Sequence, residues 1–217
     1  INDDLSDKMK IDSAALLSLV NSTSFSMGYQ DARHFLNGLF VEFSQNKITA
    51  VATDGHRLAF SSQACELPST EKTCIVPRKC INELKRILSS FNDINEILTE
   101  VSVSTKNILF SIQGYKLISK LVEGNYPDYN KVFPKSLPNN LKIDRLLLKS
   151  ALQRLSILSS EQFKGVKFKL TPSLLNLSTI NSQQESGDES IECEYGGEVL
   201  EIGFNLSYLL ETLEVIN

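Results

Sequence analysis

The chain has 217 residues, 41% of them hydrophobic and 22% charged, with a formal net charge of −4 and a pI of about 5.3. That composition suits a soluble globular protein with one large domain or two of ordinary size. It excludes a surface that coats nucleic acid on every side, while leaving room for one basic face. No stretch approaches the roughly 18 apolar residues of a membrane span, and no signal-peptide pattern is visible at the start. The first residue is Ile1 rather than Met, which suggests a fragment or a processed chain. Four cysteines, Cys65, Cys74, Cys80 and Cys193, show no C-x-x-C spacing, and only two histidines could join them. Neither a metal site nor a cofactor is expected, and the thiols read as reduced ones in the cytoplasm.

In chain order, alternation over 8–11 stops at Asp12, a good N-cap, and Leu16, Leu17, Leu19 and Val20 follow at helical spacing. Short alternating runs then occupy 36–43, 47–53 and 57–62. Between the last two, an apolar run meets Asp54-Gly55, which predicts a tight hairpin turn with the return strand starting at Leu58. Turn chemistry does not require the His56-Arg57-Leu58 that follows Asp54-Gly55, so function is sought there. The same pattern recurs at Pro77 with Ile81, Leu84 and Leu88, at Asp144 with Leu148, Ala151 and Leu155, and at Asn205 with Leu209, Leu210 and Leu213. The four helix starts fall 61 to 67 residues apart, the mark of an internal repeat. Each copy reads β-α-β-β-β, which predicts an α+β fold with helices on one face of antiparallel sheets. The turn-rich 123–129 stretch places one complete domain at 1–127 and a partial one at 128–217. The polar segment 181–190 reads as a mobile hairpin loop with solvated acids.

Charge is unevenly spread. The second helix carries Arg78, Lys79, Lys85 and Arg86 against a single acid, Glu83, and the third carries Arg145, Lys149 and Arg154 with no acid between 145 and 158. Such faces meet phosphates without choosing a sequence. An enzymatic reading would pair Asp54 with His56 as acid and base. Residues flanking a tight turn rarely converge, however, and the chain has no G-x-S-x-G elbow, phosphate loop or metal-ligand cluster. A non-catalytic role is expected. A peptide-binding module that ignores DNA is the third reading.

Four motifs resemble one family. Phe25-Ser26-Met27 with Gln30-Asp31-Ala32-Arg33-His34-Phe35-Leu36-Asn37-Gly38, then the segment from Val51 to Ala59, then Val76-Pro77-Arg78-Lys79, then Glu123-Gly124-Asn125-Tyr126-Pro127-Asp128-Tyr129 are similar to the bacterial sliding clamp. That family is the beta subunit of DNA polymerase III. The resemblance covers the family's second domain whole and its third in part. It implies a DNA-clamp fold and a homodimeric ring around double-stranded DNA that serves as a replication processivity factor. The ring would tether the replicative polymerase and the clamp loader through short linear motifs.

Carried over by motif, the family's partner-peptide pocket lies between its second and third domains and involves Leu36, Thr53, Gly55, His56, Arg57, Leu58, Pro127, Lys131 and Val132. Leu36, Leu58, Pro127 and Val132 would form the apolar slot, and Arg57 with the Gly55 backbone would hold polar groups of the peptide. Lys131 stands where better-known members carry arginine. DNA contact is implied for Gln30, Arg33 and His34 in a loop, and for Arg78, Lys79, Lys85, Arg86, Arg145 and Lys149 on helices. Ile157 and Leu158 match an edge that faces the partner protomer.

Overall fold

The four repeated helix starts are built by local chemistry in the computed structural model, which describes residues 8–66, 71–159 and 164–216. The Asp12 carboxylate accepts the Ala15 N–H at 2.8 Å to open α1 (Ser13–Thr23). Asp144 does the same for the Leu147 N–H at α3 (Arg145–Ser156), and the Asn205 side chain accepts from Ser207 at α4 (Leu206–Val215). Each cap satisfies an amide the helix cannot. α2 (Arg78–Leu88) instead follows Pro77, whose fixed φ suits a helix entry. The chain divides into two compact units after Asn130.

In the first unit, β2 (Gly38–Ser44), β3 (Lys47–Thr53) and β4 (Leu58–Ala64) form one sheet with β5 (Lys72–Pro77), in the order β4-β3-β2-β5. β1 (Lys8–Asp12) joins the other sheet, β1-β6-β7-β8, with β6 (Leu98–Val103), β7 (Asn107–Ile112) and β8 (Tyr115–Lys120). All pairs are antiparallel. The first strand of each copy therefore pairs with the three strands of the other, because the intervening helix carries the chain across from one sheet to the next. Leu16, Leu19 and Val20 of α1, Ile81, Leu84 and Leu88 of α2, Phe43 and Ile48 from one sheet, and Val101 and Ile108 from the other share a single core. The seam is closed where the Val122 N–H donates to the Ile75 carbonyl at 2.9 Å.

The second unit repeats the scheme. β10 (Gly165–Thr171), β11 (Leu174–Ile180), β12 (Ser186–Glu192) and β14 (Leu200–Asn205) form the order β12-β11-β10-β14, while β9 (Leu141–Lys142) pairs with β13 (Glu194–Tyr195). Ala151, Leu152 and Leu155 of α3 pack with Phe168, Leu175 and Leu177 of the sheet.

Two local expectations change. The hairpin loop between β3 and β4 holds four residues, since Thr53 pairs with Leu58 and Asp54 through Arg57 bridge them. Side-chain bonds from Thr53 and Asp54 to the loop backbone favour the wider form over a two-residue turn. The segment 181–190 is also not all loop. Asn181 Oδ1 caps a short turn by accepting the Gln183 and Glu185 N–H groups, and Ser186 onward is β12, in register with β11. Gly187 lets this polar strand pass under α3, where a Cβ would fall 2.8 Å from a Leu158 methyl carbon. Glu189 there is not merely solvated, for it forms a two-point ion pair with Arg154.

Candidate functional site

The hairpin loop is braced from within. Thr53 Oγ1 donates to the Arg57 carbonyl at 2.6 Å and accepts the Gly55 N–H at 3.0 Å. Asp54 Oδ1 accepts the His56 and Arg57 N–H groups at 2.9 and 3.1 Å, and its Oδ2 accepts Arg57 Nε at 3.1 Å. Gly55 sits at φ +89°, a conformation L side chains rarely adopt. Arg57 does not project into solvent. Its side chain is 16% exposed, donates from Nη2 to the Phe25 carbonyl at 2.9 Å and lies 5.4 Å over the Phe25 ring. Arg57 thus braces the loop, which presents Gly55 and His56, both exposed, with Leu58 half-buried beside them. Leu36, expected in the apolar slot, is 1% exposed and belongs to the interior.

The preceding loop leans on this one. Gly28 donates to the Leu36 carbonyl at 2.8 Å, and Asn37 holds Asp31 through two hydrogen bonds, at 2.9 and 2.8 Å. Gln30 takes φ +54° and is exposed, as is His34. Arg33 grips Asp31 with Nε and Nη2 at 3.1 and 2.9 Å, which holds the Asp31 carboxyl well below its usual range, at about 2. Sequence reasoning passed over Tyr29, which stands 75% exposed at the tip of this loop. Beneath it, Arg78 donates to the carbonyls of Gly28 and Met27 and lies 5.8 Å from the Tyr29 ring centroid. Arg78 supports the loop and is not a free charge on the helix face.

Pro127 is carried by an aromatic ladder. Tyr126 stacks on Phe40 with centroids 4.9 Å apart, and Tyr129 packs against Phe40 and Phe60 while its hydroxyl donates to Glu42 at 3.3 Å. Pro127 between the two tyrosines is exposed. Lys131 and Val132, also exposed, fall in the second unit. A separate groove of about 760 Å³ in the first unit, lined by Thr73, Lys106, Lys120 and Tyr126 among others, excludes the hairpin loop.

The basic helix residues divide in two. Lys79 and Lys85 are exposed, and neither has an ion-pair partner among the described residues. Arg86 is paired with Glu83 at 2.7 Å. On α3, Arg145 Nη1 donates to the Leu213 carbonyl at 2.8 Å and Lys149 pairs with Glu214 at 2.8 Å, so both are spent on α4. Ile157 is 81% exposed just past α3, and Leu158 is half-buried. Burial pushes the Cys74 and Cys80 thiols up, to about 12 and about 11, which makes them packing groups and not nucleophiles. No three metal-ligating side chains converge among the described residues, and no helix there is long and apolar enough to cross a membrane.

Comparison with known proteins supplies the family. Residues 10–128 match the central domain of the DNA polymerase III beta subunit, and residues 130–217 match its C-terminal domain. The beta sliding clamp of Salmonella typhimurium is 39% identical over 203 residues, covering 94% of this chain and 54% of that protein. That of Escherichia coli K12 is 37% identical over the same shares. The crystal structure of the Pseudomonas aeruginosa beta subunit superimposes with a TM-score of 0.91 at 38% identity, over 97% of this chain and 57% of that one. Another, of the clamp from that organism bound to griselimycin, gives 0.90. The chain spans about half the length of the relatives it matches. It belongs to the DNA polymerase III beta subunit family, the bacterial beta sliding clamps.

Proposed function

We propose that this chain serves as part of a sliding clamp, a non-catalytic processivity factor that encircles duplex DNA in the cytoplasm as a homodimeric ring. The replicative polymerase, the clamp loader and other partners would dock on it by short peptide motifs. The carrying observation is the match of both successive halves, in order, to the central and C-terminal domains of one family. Tethering works by effective concentration, since a polymerase that lets go is held near its primer end. Phosphate contact without base reading suits a ring that must slide.

Within this reading the first unit's share of the peptide seat comprises Gly55, His56, Leu58 and Pro127, with Thr53 and Arg57 shaping the loop beneath. DNA would meet Gln30, His34, Lys79 and Lys85. Arg33, Arg78, Arg86, Arg145 and Lys149 are poorer contacts, because each already has a partner. The exposed Ile157, with Leu158, suits a protomer edge. Griselimycin, which the Pseudomonas aeruginosa clamp binds, is the probe. Calorimetric titration of this chain with griselimycin should show saturable binding, weakened at least about tenfold by Leu58→Asp, which sets a charge in an apolar slot. Equal affinity in the variant, with the fold intact by circular dichroism, would remove Leu58 from the site.

A further inference from the structure

The two loops assigned to different partners are fastened together by an arginine from each. Arg33, in the loop proposed to meet DNA, donates from Nη2 to the Asp54 carbonyl at 3.2 Å. Its guanidinium lies flush against Gly55, where a Cβ would come within 2.9 Å of Nη2. Asp31 holds that guanidinium in place through its two-point grip. From the other side, Arg57 of the hairpin loop reaches the Phe25 carbonyl at 2.9 Å while its Nε stays on Asp54 Oδ2. Asp54 is the shared node. Its carbonyl takes Arg33, and its carboxylate takes Arg57 and two backbone amides.

We infer that Arg33 and Asp54 are positioning residues of the proposed peptide site, joining the loop at 25–34 to the hairpin loop at 54–57 so that a ligand on one is sensed at the other. The inference rests on the peptide seat proposed above. The planar fork of arginine meets two acceptors at fixed angles, so it transmits displacement where a flexible lysine would not. A phosphate that drew Arg33 away would free the Asp54 carbonyl. A peptide that pressed on Gly55 would press on Arg33 in turn.

Hydrogen exchange with mass spectrometry on the whole chain tests this, with and without saturating griselimycin. Without ligand, Arg33→Gln should speed exchange across 54–57 by about fivefold, the ratio that one net hydrogen bond corresponds to. With griselimycin, the wild-type chain should slow at both 54–57 and 28–34, and Arg33→Gln should keep the first effect and lose the second. Arg33→Lys, which retains the charge but not the fork, should behave like Arg33→Gln. Exchange in β7 serves as the fold control, and if it rises in Arg33→Gln the lysine variant decides. Unchanged exchange at 54–57 in both variants would overturn the inference. If griselimycin fails to bind, the peptide-site reading falls, and the ligand-free comparison still decides whether the loops are joined.

Discussion

Asp31 and Arg33 show how one pair sets the behaviour of a loop. The guanidinium lowers the Asp31 carboxyl from an ordinary 3.8 to about 2, mainly by side-chain hydrogen bonding and then by the Arg33 N–H. Because the folded value is depressed, the contribution is present above the unfolded value and is lost as pH falls through about 2. Arg33 is exposed and Asp31 half-buried, so the expected gain in stability is small, but the titration itself is a clean readout. Carboxyl-detected NMR should place the Asp31 midpoint near 2 in the wild-type chain and return it toward 3.8 in Arg33→Gln. A midpoint near 3.8 in both would mean that the pair does not form in solution. At this scale the sequence was least legible. Arg57 and Arg78 look like surface cations, and only the fold shows their guanidiniums turned onto the carbonyls of Phe25, Met27 and Gly28. Those acceptors lie 32 to 51 residues away, beyond the reach of any local pattern.

Elements were far easier to read. Helix starts and core positions follow from capping residues and 3.6-residue periodicity, and Leu16, Ile81, Leu84, Ala151 and Leu155 are all buried as the spacing requires. Edges blurred where polar residues pair by register, as in β12, or where side-chain bonds widen a turn, as at 54–57. The exchange of first strands between copies is not visible in periodicity, because alternation states which face a residue takes but not which neighbour it meets. One close approach makes that exchange sensitive to a single methyl group. Gly38 opposes Pro77 where β2 meets β5, and a Cβ there would lie 2.7 Å from the Val76 carbonyl oxygen and 2.8 Å from an Ile75 methyl carbon. Gly38→Ala should therefore destabilise the first unit by about 1–3 kcal/mol. Gly165→Ala, with nothing within 4 Å of the new carbon, should stay within about 0.5 kcal/mol. Urea denaturation of the two variants side by side checks this, and equal midpoints would mean that β2 shifts at little cost.

For the whole molecule, an acidic chain with a proposed DNA-tracking role must hold its free cations where phosphate passes and neutralise the rest. The basic helices do not divide as sequence alone suggests. α3 carries no acid of its own, yet Glu214 from α4 and Glu189 from β12 answer Lys149 and Arg154, so its charge is largely consumed within the second unit. α2 keeps Lys79 and Lys85 exposed and, among the described residues, without an ion partner, set away from its buried stripe of Ile81, Leu84 and Leu88. Long-range electrostatics then makes a differential prediction. In a full-length clamp carrying these residues, Lys79→Glu with Lys85→Glu should weaken retention on duplex DNA and flatten its salt dependence, by about one unit of slope for each phosphate no longer neutralised. Arg145→Glu should leave that slope nearly unchanged, because it breaks the bond to the Leu213 carbonyl and loosens α3 from α4 instead. Nitrocellulose-filter retention of circular DNA across a salt series separates the two. If Arg145→Glu lowers the slope and the lysine pair does not, the DNA-facing charge lies on α3, and the bond from Arg145 to the Leu213 carbonyl opens when phosphate arrives.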